Sequence, residues 1–138
     1  GGTMALSRNE SQEKAMIIIY DALTREHMGM EFDPKELIED VIELPYDEVD
    51  LYIKEVVVKA LLHKEEYIEK LEKHMETWTF KRLNRLNQAI LLMSCAHFFE
   101  VKDADKAVVI NVAVTLAKRY LDDNDYKFVN AILDNVLC

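Results

Sequence analysis

The stretch that most constrains this chain is Val109 to Asp134, VINVAVTLAKRYLDDNDYKFVNAILD, which predicts two helices joined by a tight acidic turn. In its first half the polar residues Asn111, Thr115, Lys118, Arg119 and Asp122 follow at spacings of four, three, one and three. A 3.6-residue period gathers them on one narrow stripe. The rest of the circumference is apolar: Val109, Ile110, Val112, Ala113, Val114, Leu116, Ala117, Tyr120 and Leu121. A helix with so little polar surface is expected in the middle of a fold, touched from several sides. In the second half, Phe128, Val129, Ile132, Leu133, Val136 and Leu137 fall on one side, opposite Lys127, Asn130 and Asp134. That helix packs by one face.

The remaining segments supply neighbours. A helix is predicted from Ser7 or Asn9 to Arg25, opened by a Ser7/Glu10 capping box and carrying Ala15, Ile18, Ile19, Ala22 and Leu23 inward. A loop through Gly29 leads to Asp33-Pro34-Lys35-Glu36, an N-cap followed by proline and acid in the first turn, and Pro45 ends that helix. Tyr46 or Asp47 is expected to open a third helix, with Val49, Ile53, Val56, Val57, Ala60 and Leu61 on one stripe. The Val56–Val58 run suits a strand, but the spacing on both sides is helical. Residues 65–75 continue as helix, with Ile68, Leu71 and Met75 inward and Glu65, Glu69, Glu72 and Glu76 on a solvated stripe; Glu66–Lys70 and Glu69–Lys73 are i,i+4 pairs. Thr77-Trp78-Thr79 breaks the pattern. A further helix carries Leu83, Leu86, Ile90 and Met93, with His97 placed at the edge of the bundle. Asp103 or Asp105 starts the central helix, and the Asp122–Asp125 turn starts the last one.

These elements predict an all-α protein: a single compact helical domain of about seven helices in two packed small bundles. The 138 residues suffice for one domain with its own core. Gly1-Gly2-Thr3 ahead of Met4 reads as a cloning remnant, leaving 5–138 as the folded domain. The uncharged run Ala89–Phe99 is too short to cross a bilayer, and no signal peptide is visible. Cys95 and Cys138 have no framework spacing, which predicts reduced thiols in the cytoplasm.

The net charge of −9 is uneven: residues 31–75 hold fourteen acids against six bases, whereas residues 76–138 balance. Bulk acidity disfavours non-specific nucleic-acid binding, which needs local cations, and leaves only local basic patches. Catalytic signatures are missing. There is no phosphate-binding glycine loop, no HExxH and no CxxC, and the four histidines form no i,i+3 or i,i+4 pair. The residues therefore predict no enzyme, no cofactor and no metal site. Cys95, midway along an apolar helix, is expected to stay a protonated thiol.

Trp78…Arg82…Arg85…Ala89-Ile90-Leu91, then Val108-Val109-Ile110-Asn111-x-Ala113-Val114-x-Leu116-Ala117-Lys118-Arg119-Tyr120, then Lys127-Phe128-Val129-Asn130-x-Ile132-Leu133-Asp134 resembles the NusB family of bacterial transcription antitermination factors. Glu13-x-Ala15-x-x-x-Ile19-Tyr20 is similar to that family's first helix. The resemblance implies a non-catalytic protein. It would bind a single-stranded RNA element of ribosomal leaders together with a ribosomal small-subunit protein that doubles as NusE, within an elongating RNA polymerase complex. On that basis the RNA-binding candidates are Arg8, Lys14, Tyr20, Lys118, Arg119, Asn124, Lys127 and Phe128. The candidates for the protein partner are Tyr20, Arg82, Leu86 and Asn87.

The chain departs from the family pattern: Gln12 and Leu92 stand where arginine is usual, Asn87 at an acidic position, and Leu121 and Ala131 in place of glycine. Each missing cation removes roughly one phosphate contact. A second reading therefore stays open: a helical protein-interaction module, homodimeric in one version, with weak RNA affinity of its own.

Overall fold

The computed structural model describes residues 6–138, and these contain helices and turns but no strand. The reading of Gly1–Thr3, and the first residue of the expected domain, lie outside the described residues.

Seven α-helices account for the fold. The first, α1 (Arg8–His27), opens on the Ser7/Glu10 capping box in both directions. The second, α2 (Pro34–Ile42), is capped by the Asp33 side chain on the Lys35 N–H and ends on Glu43 in the left-handed region at φ 63°. The third starts later than the sequence suggests. Pro45 leads into a 3-10 turn over Tyr46–Glu48, Val49 is extended, and α3 (Leu51–Leu62) is capped by Asp50, which accepts from the Tyr52 N–H at 2.7 Å. Asp50 also accepts from the Ser11 hydroxyl at 3.3 Å. The same carboxylate thus starts α3 and ties it to α1, which Tyr46 or Asp47 could not do.

A short break at His63 precedes α4 (Lys64–Glu72). Then come α5 (Arg85–Ala96), α6 (Lys106–Tyr120) and α7 (Asp123–Val136), capped by Asn84, Asp105 and Asp122. The expected Glu66–Lys70 pair gives way to other partners: Glu66 sits 3.2 Å from His63, and the Lys70 ammonium lies over the Phe99 ring.

The central helix is α5, not the Asn111–Asp122 segment. Every residue from Ala89 to His97 is buried. α1 and α3 cover α5 from one side, and α4, α6 and α7 from the other, so two small bundles share one axle. α6 buries only Val109, Ala113, Leu116 and Ala117, and Val108 is 49% exposed. The reason is that many of the apolar residues of α6 are small or β-branched and tolerate half-exposure. The Ala89–Phe99 run has no charged side chain to turn toward water on any face, so it alone is suited to complete enclosure.

His97 is likewise inside and not at the bundle edge, at 2% exposure. Past Ala96 the helix widens into a π-turn over His97–Val101, closed by the Lys102 N–H on the His97 carbonyl at 3.0 Å. The widened turn directs the imidazole inward. Its Nε2 lies 2.7 Å from Asp103, and its Nδ1 lies 3.5 Å from the Tyr52 hydroxyl.

Leu91→Ala in α5 should cost about 2–5 kcal/mol, and Val112→Ala in α6 under about 1.5 kcal/mol, by urea unfolding; equal costs would contradict the enclosed position of α5. Burial pushes the Cys95 thiol up to about 12 from its ordinary 9.0, and pushes the Tyr52 and Tyr67 phenols upward as well. These groups keep protons in the fold that the unfolded chain releases. Their stability contribution is full below about pH 9 and declines as pH rises toward about 12. A urea midpoint series across that window should fall, and Cys95→Ala should reduce the decline.

Candidate nucleic-acid interface

The connection from α4 to α5 is folded by side chains that reach back onto it. The Glu72 carboxylate accepts from the Phe80 N–H at 2.9 Å, and the Gln88 amide donates to the Phe80 carbonyl at 2.8 Å. Phe80 is thereby anchored in the core, a 3-10 turn forms over Phe80–Arg82, and Trp78 is left outside at 55% exposure. Asn84 then caps α5, accepting from the Asn87 N–H at 2.8 Å. Facing this wall, Asp122 caps α7 through the Asp125 N–H at 3.3 Å, and Phe128 follows one turn later.

Between the two walls lies a cleft of about 390 Å³ lined by Trp78, Arg82, Leu83, Asn84, Asn87, Asp125 and Phe128. Asn87 is 1% exposed, and its Oδ1 has no hydrogen-bond partner. Burial and then the neighbouring Asp122 carboxylate raise the pKa of Asp125, while the Asn87 amide acts in the opposite direction. Two aromatic faces, a guanidinium and an unpaired buried acceptor thus meet in one cavity. That combination suits a flat, hydrogen-bonding ring attached to an anionic chain.

The structure sorts the expected site residues differently from the sequence. Arg82 and Asn87, expected on a protein-binding surface, share the cleft with Phe128, expected to stack on RNA. Asn124 and Lys127 are exposed in the first turns of the same helix. The Lys118 ammonium lies 5.0 Å from the centre of the Tyr126 ring, at the rim where α6 meets α7. Arg119 reaches α1, where its Nη1 is 3.0 Å from Glu13, beside half-buried Lys14.

Arg8 does not join them. Its guanidinium pairs with Asp103 at 3.2 Å and sits 4.5 Å from the centre of the Tyr52 ring, because the start of α1 lies against the α5–α6 connection. The cations therefore do not form one patch. Tyr20 is 38% exposed on α1, where its carbonyl accepts from the Thr24 hydroxyl, which in turn accepts from Arg85. Leu86 is packed partly against the core. Tyr20 and Leu86 lie outside the cleft lining that includes Arg82 and Asn87.

Trp78 and Asp125 line the cleft but were not among the site candidates. The signal for Trp78 was present: the only tryptophan stands between two threonines in a break between helices. Nothing local marks Asp125 among three neighbouring aspartates. Among the described residues no group of three or more His, Cys, Asp or Glu could hold a metal ion. No described helix is long and apolar enough to cross a membrane.

The NusB family model matches residues 9–137. This chain belongs to the NusB family. The transcription antitermination protein NusB of Macrococcus caseolyticus is 30% identical over 132 residues, covering 96% of this chain and 97% of that protein. The corresponding protein of Ligilactobacillus salivarius is 31% identical over 138 residues, covering 97% of this chain and 100% of that protein. Among solved structures, T. maritima NusB superposes with a TM-score of 0.80 at 22% identity, covering 97% of this chain and 92% of that one. A crystal structure of antitermination factors NusB and NusE in complex with dsRNA has a chain that matches with a TM-score of 0.77 at 26% identity, covering 94% and 95%. The family thus matches the all-helical fold and the transcription-regulatory class read from the sequence.

The Arg8–Asp103–His97 contacts give a stability prediction with an internal contrast. Asp103→Ala leaves buried His97 without its 2.7 Å partner and should cost about 1–3 kcal/mol. Arg8→Ala removes only an exposed pair and should cost under about 1 kcal/mol. Urea unfolding of the two variants checks the order.

Proposed function

We propose that this chain is a non-catalytic, cytoplasmic RNA-binding antitermination factor. It binds a single-stranded element of ribosomal leader RNA together with a ribosomal small-subunit protein in the NusE role, and so promotes elongation by RNA polymerase. The observation that carries this reading is the cleft holding Trp78, Phe128 and Arg82 together. Single strands are gripped by stacking on aromatic faces with cations along the backbone, and Lys127, Lys118 and Asn124 extend that surface. The relative solved with NusE and dsRNA supports, by similarity, an RNA and a NusE-type partner for this chain. A factor of this kind works by holding two partners in place.

One observation favours the second reading, a protein-interaction module with weak RNA affinity. Arg8 and Arg119, two of the expected phosphate contacts, are paired with the chain's own Asp103 and Glu13. Binding RNA through them requires breaking those pairs, which lowers the net gain.

The two readings separate in one titration. Labelled ribosomal leader RNA is titrated with this chain alone and with the ribosomal partner, across a salt series, by fluorescence anisotropy. Trp78→Ala and Phe128→Ala should each weaken RNA binding by about 1–3 kcal/mol. Lys127→Gln should lower the slope of log affinity against log salt by about one. Equal binding of a scrambled RNA would defeat the first reading. Loss of the protein partner in these variants, with RNA affinity unchanged, would establish the second.

A further inference from the structure

We infer that the cleft between Trp78 and Phe128 accepts a single guanine base and reads its Watson–Crick edge through Asn87 and Asp125. The inference rests on the RNA reading above and goes beyond it in naming the base and the side chains that select it.

Asn87 is 1% exposed and its Oδ1 has no partner. A buried acceptor without a donor is destabilising, and such groups recur where a ligand supplies the missing half. The carbonyl end of the amide, not its nitrogen, is the buried atom left without a partner. The Asn84 Oδ1 is already engaged by the Asn87 N–H as the α5 cap.

The lining of the cleft thus holds two acceptor groups, the amide of Asn87 and the carboxylate of Asp125. Guanine alone among the four RNA bases presents two adjacent donors, N1–H and the N2 amino group. Adenine and cytosine offer one amino group beside a bare ring nitrogen, which would face the carboxylate lone pairs. Uracil offers one N–H between two carbonyls. Arg82 lies in the same lining, where a guanidinium can donate to guanine O6 or hold the adjoining phosphate. Trp78 and Phe128 supply aromatic rings to the lining. The volume of about 390 Å³ lies in the range of small-ligand clefts.

The test uses a uridine dodecamer with one central guanosine, and the same strand with inosine, which lacks the N2 amino group, or adenosine at that position. Binding is followed by Trp78 fluorescence with the ribosomal partner present. The guanosine strand should bind about ten-fold tighter than the inosine strand, with adenosine no better than inosine. Asn87→Leu removes the acceptor, and Asp125→Asn, at a half-exposed position that leaves the Asp122 cap intact, replaces the carboxylate. Each should bring the guanosine-to-inosine ratio close to one while the circular dichroism spectrum stays unchanged. RNA that binds without distinguishing guanosine from inosine overturns the inference and leaves the RNA reading standing. Variants that lose the protein partner and keep the base preference overturn it too, because Asn87 Oδ1 then serves a protein N–H. Failure of every strand to bind removes both.

Discussion

Enclosure of the uncharged α5 helix positions the other elements. From Ala89 to His97 there is no residue whose side chain requires water, so helices must cover every side of that segment. α1 and α3 take one half of its circumference, and α4, α6 and α7 take the other. Because α5 belongs to both bundles, a shift of either one repacks the same buried residues. The ends of α5 are therefore fixed points, and the Trp78–Phe128 cleft is built at one of them.

At the N-terminal end, the Asn84 cap, the Phe80 anchor and the Asp122 cap of α7 place Trp78, Arg82, Asn87 and Phe128 around one cleft. These side chains come from three separate segments. Each is held by a backbone hydrogen bond to a neighbouring side chain, so the cleft is shaped before anything enters it. That lowers the ordering cost of binding. At the C-terminal end, the π-turn places His97 against Asp103 and Tyr52, and this cluster captures Arg8. One end of the axle exposes aromatic and hydrogen-bonding groups, whereas the other neutralises a cation. The Trp78–Phe128 end is the surface proposed for RNA.

The acidity of residues 31–75 is consistent with this division. Those acids lie on α2, α3, α4 and their connections, and the residues that line the cleft come from outside that range. Negative charge over the middle of the chain disfavours nucleic acid on those faces, which fits an RNA site proposed at the cleft.

The sequence by itself determined the helices, most of their caps and the all-helical class. These depend on contacts within a few residues: Ser7 with Glu10, Asp33 with Lys35, Asp122 with Asp125. It also carried the family, because the Val108–Asp134 pattern runs through two packed helices. It misplaced the axle, since a wide apolar surface on α6 does not reveal how many neighbours will arrive, and half-exposed valines cost little. It separated Arg82 and Asn87 from Phe128, and grouped Arg8 with Lys118, Arg119 and Lys127. Those relations are set by which helix ends meet around α5, at separations of tens of residues along the chain. Only the tertiary structure decided them, because packing around a shared helix sets such distances and no local pattern encodes it.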